Sequence, residues 1–150
     1  MTLRVQHFIF VVRGSRRKPV RATLSLTAAV GRWELNSNTP HRKNLKPGDL
    51  VMFYVAGATD PDAHKVIASA VVATDAVAAR GQGASDWIGI APPARYSIQL
   101  HSFTWITPPV PVRPLLPHLS FVRNSGRWGT HFQGGVVKIA ESDAELLRGA

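Results

Sequence analysis

With 150 residues, 45% of them hydrophobic, the chain is sized for one domain with a buried core and is too apolar to be disordered. It has no cysteine, which excludes a disulfide scaffold, thiolate-bound zinc and a cysteine nucleophile. Its formal net charge of +9 is lopsided: residues 1–50 hold ten Lys/Arg against two Asp/Glu, residues 51–150 eight against seven, which points to a polyanion such as nucleic acid or to a solvated basic face.

The first element is "RVQHFIFVV" (4–12), a β-branched and aromatic run that reads as a strand and stops at Arg13-Gly14. Its apolar part, "FIFVV", is too short for a signal segment or a membrane span, so the expectation is a soluble cytoplasmic protein with no membrane partner. Pro19 suits the first turn of a helix through "VRATLSLTAAV", with Gly31 as its stop. "RWELN" (32–36) reads as a short strand and "SNTPHRKN" as loop. In "LKPGDLVMFYVAG" (45–57), Pro47-Gly48 makes a turn and Leu50–Val55 a β-prone strand. After the loop "DPDAH" (60–64), "KVIASAVVAT" (65–74) predicts a second buried strand, antiparallel to the first.

Residues 75–94 are rich in Gly, Ala and Pro and read as a long loop. "RYSIQLHSFTWI" (95–106) alternates, placing Tyr96, Ile98, Leu100 and Ser102 on one face and Gln99, His101, Phe103 and Trp105 on the other. Four prolines in 108–114 force an extended crossing, and "LLPHLSFV" reads as a helical turn. The tail "ESDAELLRGA" predicts a helix opened by a capping box, with Ser142 as N-cap and Glu145 three residues on. The sum is one α+β domain over 1–150 whose five or six strands curl into a small barrel.

Catalytic templates are missing: no Walker A loop, GxGxxG, GxSxG or HExxH occurs, and the six histidines have no ligand spacing. Asp60, Asp62 and His64 alternate and could meet a hard cation, but a solvated loop explains them better, and neither a metal nor a cofactor is expected. Glu34 is the one carboxylate placed within a strand and reads as a buried partner of an arginine. Aromatic residues interleaved with basic ones carry more: Trp33 beside Arg32, Tyr54 at a strand end, Trp105 on the alternating strand, Trp128 after Arg127. Such rings stack nucleobases, and Lys and Arg hold phosphates. Phe53 and Phe121 lie in apolar runs and read as core. Trp33 and Trp105 stay open between core and pocket wall, and Trp128, on a turn between Gly126 and Gly129, reads as exposed or as a pocket wall.

"KPGD" before an apolar strand ending in Tyr, followed by "LSFVRN…RWG…F..G…I…D.ELL", resembles the EVE domain of the PUA-like superfamily, which also holds the YTH and ASCH groups. The likeness spans nearly the whole chain. It implies a PUA-like small mixed β-barrel of five to six strands with flanking helices, and a pocket for one nucleobase, often modified, taken out of its stack. The matching positions are Asn36, Tyr54 and the turn Arg127-Trp128-Gly129. The chain departs from the family at Arg13-Gly14-Ser15, where a small polar residue is usual, and at Ser37-Asn38-Thr39, where His-Gly-Lys is usual. The expected function is non-catalytic binding of DNA or RNA. Arg13, Arg16, Arg17, Lys18 and Arg127 would hold the backbone, and Asn36, Tyr54, Trp33, Trp105 and Trp128 would form the base pocket. The alternatives are an ASCH-like enzyme acting on RNA or nucleotides, with Glu34 or His101 as base, and a small-molecule or nucleotide sensor with a protein partner.

Overall fold

The computed structural model describes residues 5–14, 17–35, 44–57, 59–75, 77–78, 96–122 and 135–149. In chain order the elements are β1 (His7–Arg13), α1 (Val20–Val30), β2 (Arg32–Leu35), β3 (Leu50–Ala56), β4 (Lys65–Val72), β5 (Val77–Ala78), β6 (Tyr96–Pro111), a 3-10 helix (Arg113–His118), β7 (Val136–Ile139) and α2 (Glu141–Leu147). Six strands lie side by side in the order β2-β6-β4-β3-β1-β7, and the two-residue β5 pairs with the start of β6. β1 and β3 are parallel and the other pairs antiparallel, so the sheet is mixed. The α+β class and the curled mixed sheet with flanking helices agree with the expectation. No helix among the described residues is long and apolar enough to cross a membrane.

Two cores sit on opposite faces of the sheet. The first joins Phe8, Phe10, Val51, Phe53 and Val55 of the central strands to Trp33, Ile98 and Leu100, and α1 lays Val20 and Leu24 against it. The second gathers Ile9, Met52, Tyr54 and Val66 under Leu116, Leu119, Ala144 and Leu147 of the 3-10 helix, its following turn and α2. Central strands buried on both sides read as unbroken apolar runs, which is why "FIFVV" and "LVMFYV" lack alternation.

Local chemistry sets the ends of the elements. Val20, Thr23, Leu24 and Thr27 form the buried stripe of α1, and Gly31 stops it in the left-handed region at φ 72°, its N–H donating to the Thr27 carbonyl at 2.7 Å. The first helical N–H, that of Val20, donates to Asp60 Oδ2 at 2.8 Å, so the loop before β4 supplies what a local cap would. In the "KPGD" turn the Asp49 carboxylate accepts from the backbone N–H of Lys46 at 2.9 Å and of Gln6 at 3.1 Å, tying the turn to the entry of β1.

Two local expectations are corrected. α2 opens at Glu141 after an extended Ala140, so Ser142 lies inside its first turn and forms no capping box. Asp143 is instead buried and accepts from the backbone N–H of Ser120 at 2.8 Å and from its hydroxyl, fastening α2 to the turn after the 3-10 helix. In β6 the alternation breaks at Ser102, whose φ is 54°. His101 pairs with Val71 and Thr104 with Ser69, so β6 spends three residues where β4 spends two. The extra residue swaps faces, and Phe103 and Trp105 pack against the same core as Ile98 and Leu100.

Candidate nucleic-acid interface

Five rings run in contact from the interior to the surface. Phe10 stacks on Trp33 at 6.0 Å between centroids, and Trp33 meets Phe53 at 5.4 Å. Phe53 meets Phe103 at 5.7 Å, and Phe103 meets Trp105 nearly edge-on at 5.1 Å and 82°. The contacts match the offset and perpendicular arrangements that ring quadrupoles favour. The series ends in a half-buried indole, that of Trp105, on the side of the molecule where α1 begins.

A charged arm covers that indole. Arg21, in the first turn of α1, places its guanidinium carbon 5.3 Å from the Trp105 ring centre. The same guanidinium donates from Nε to Asp62 Oδ2 at 2.7 Å, with a second nitrogen 3.5 Å from Oδ1. Asp62 is fixed in turn, because its backbone N–H donates to Asp60 Oδ1 at 2.9 Å. The spacing of Asp60, Asp62 and His64 that suggested a cation site thus serves other ends. One acid holds the helix start, the other holds Arg21, and the His64 N–H donates to the Val55 carbonyl at 2.8 Å in a turn with φ 66°. Among the described residues no group of His, Cys, Asp or Glu is arranged to hold a metal ion.

The residues nominated from the sequence are distributed unevenly. Trp33 is 6% exposed and belongs to the first core; it supports Trp105 through Phe53 and Phe103. Tyr54 lies on the opposite face of the sheet, in the second core, where burial pushes its hydroxyl pKa upward against the opposing pull of Arg13 and Arg113. Tyr54 therefore does not meet Trp33 or Trp105. Arg13 and Arg17 are exposed and Lys18 half-buried, flanking the entry to α1. Asn36, Trp128, Arg127 and Arg16 lie outside the described residues.

The two candidate bases are not joined into a catalytic pair. Glu34 is sealed, with Arg32 Nε 3.3 Å from Oε1 in an ion pair whose alignment makes no hydrogen bond. Its carboxyl is held above the usual range by desolvation, which outweighs the opposing pull of Arg32. His101 is exposed and shares a 2.9 Å hydrogen bond between Nδ1 and Ser102 Oγ. Glu34 pairs with Ser97, four residues from His101 along β6, about 13 Å at strand rise. Sequence reading missed Arg21 and Phe103 as parts of the surface. The signals for them were Arg21 within the basic cluster and Phe103 two residues before Trp105, hidden by the extra residue in β6.

No protein-family model matches the chain. A UPF0310 protein of Mycolicibacterium vanbaalenii is 30% identical over 124 residues, spanning 78% of this chain and 77% of that protein. The chain belongs to the UPF0310 family. Solved structures extend the likeness to the whole fold of this UPF0310 chain. Human THYN1, solved in complex with 5-methylcytosine-containing DNA, matches at TM-score 0.61 with 10% identity, covering 96% of both chains. The YTH domain of Zygosaccharomyces rouxii MRB1, solved with N6-methyladenosine RNA, matches at 0.59 with 13% identity, covering 97% of this chain and 86% of that one. The N-terminal domain of Staphylothermus marinus McrB matches at 0.64 with 11% identity, over 95% and 93%. The UPF0310 fold seen here is PUA-like.

Proposed function

We propose that this protein is a non-catalytic nucleic-acid reader of the EVE type, which takes one base, modified in its preferred ligand, out of the stack and into an aromatic pocket. The observation that carries the reading is the half-buried Trp105, backed by four rings and covered by the Arg21 guanidinium. The PUA-like fold supports it, since THYN1 and the MRB1 YTH domain were solved with methylated DNA and RNA. In this reading Trp128 stacks on the extruded base, the Asn36 amide both donates to and accepts from its edge, and Arg13, Arg16, Arg17, Lys18 and Arg127 hold the backbone. Trp33 acts from within the core, as the support of the exposed rings, and Tyr54 from the opposite face, as scaffold.

Binding energetics follow from the chemistry. Stacking on an indole contributes about 1–3 kcal/mol per base, so Trp128→Ala is expected to weaken binding about five- to 150-fold. Trp105→Ala is expected to act in the same direction. A buried methyl adds about 0.8 kcal/mol, a preference of about fourfold for a methylated base. The test is fluorescence anisotropy with short single-stranded DNA, with and without one 5-methylcytosine, and short RNA, with and without one N6-methyladenosine. Affinity should fall steeply with added salt. Binding that survives both tryptophan substitutions unchanged, or no binding to any of the four probes, would overturn the reading.

A further inference from the structure

We infer that Arg21 and Asp62 form a latch over the stacking surface, which nucleic acid must open. The inference rests on the nucleic-acid reading above. The Arg21 guanidinium lies over one face of the Trp105 ring, the surface on which a base would stack in this reading. It is held there by Asp62, whose side chain is only 14% exposed while that of Arg21 is 46% exposed. The acid is thus the fixed half of the pair and the arginine the movable half. The backbone of Asp62 is anchored as well, because its N–H donates to Asp60, which is buried and also accepts from the first helical N–H of α1.

A base arriving on Trp105 displaces the guanidinium from the ring. The released arm carries a full positive charge and five donors at the mouth of the site, on the helix that follows Arg17 and Lys18 in the chain. A phosphate flanking the stacked base is the partner that replaces the lost carboxylate, and it accepts the same planar fork. Arg21 therefore exchanges Asp62 for phosphate as the base exchanges places with Arg21. Asp62 sets the threshold of the exchange: it lowers affinity for any strand that offers a phosphate without a base positioned to stack.

Removing the acid's charge tests this. Asp62→Asn is expected to tighten binding of a fluorescein-labelled single-stranded DNA of about twelve nucleotides by about 1.4- to fivefold, the range of a partly exposed ion pair. The slope of its salt dependence should stay near that of wild type, because Arg21 reaches the phosphate in both complexes. In an Arg21→Ala background the same Asp62→Asn change should have no effect on affinity, because the acid acts through the arginine. Melting curves of each variant check that the fold is intact. Equal tightening in both backgrounds would mean that Asp62 repels the strand directly, and no tightening in either would mean that Arg21 does not move. Both results overturn the latch and leave the nucleic-acid reading standing. Failure of wild type and every variant to bind any probe removes the reading, and the latch with it.

Discussion

Replacing Gly14 with alanine forces a side chain into space that its neighbours already fill. A methyl at this position would stand 2.8 Å from both the backbone nitrogen and Cγ2 of Val20, and closer still to Asp60 Oδ2. The backbone nitrogen cannot step aside without moving α1, and the carboxylate cannot do so without releasing the Val20 N–H. Loss of a helix-start partner costs about 0.5–2 kcal/mol, and forced overpacking about 1–3 kcal/mol. Against this, alanine restricts the unfolded chain and recovers about 0.4–1 kcal/mol. The net is roughly 1–4 kcal/mol of destabilisation, which for a chain of this length lowers the melting temperature by about 3–15 °C. The assay is thermal unfolding by circular dichroism on wild type, Gly14→Ala, Asp60→Ala and the double variant. The two substitutions break the same contact, so their effects should sum to more than the double variant shows. A Gly14→Ala protein melting within about 2 °C of wild type would refute the argument, as would strict additivity with Asp60→Ala.

Trp33→Ala should destabilise by about 3–5 kcal/mol, since it empties the space among Phe10, Phe53 and their neighbours, and a near-wild-type urea midpoint would show that the ring is not core. Glu34→Gln should raise stability at neutral pH. The folded carboxyl pKa is raised, so the folded state holds more protons than the unfolded one and wild-type stability falls as pH rises through that window. The variant's advantage in melting temperature should therefore grow from acid to neutral pH, and a pH-independent difference would contradict the assignment. His7 has the opposite sign. Burial, with Arg148 adding to it, lowers its folded pKa against Glu141, Asp49 and Glu145, so stability is lost as pH falls below the ordinary histidine range. His7→Gln should flatten that acid decline in a melting-temperature series.

What the sequence made legible was local. Pro19 and Gly31 bracket α1, and the "KPGD" turn leads into β3, because each signal depends on backbone preferences of the residues themselves. The arginine partner of Glu34 was legible for a similar reason, two positions along the same strand. What escaped depends on contacts far apart in the chain. Asp60 reaches Val20 across 40 residues, and nothing near either one announces the bond. The same distance hid the role of Asp62, whose alternation with Asp60 resembles a ligand set until Arg21 is seen beside it. For Trp33 and Trp105 the sequence left core and surface open, and burial separates them: one is a sealed support, the other a partly open shelf. Asn36 and Trp128 belong to segments outside the described residues.

The left-handed backbone at Ser102 has a consequence for how such a surface is maintained. Whether the indole at 105 joins the row of rings or points the other way is decided by counting, odd or even, rather than by the identity of any aromatic residue. A one-residue deletion there would keep every ring and every cation in the sequence and still turn the shelf inside out.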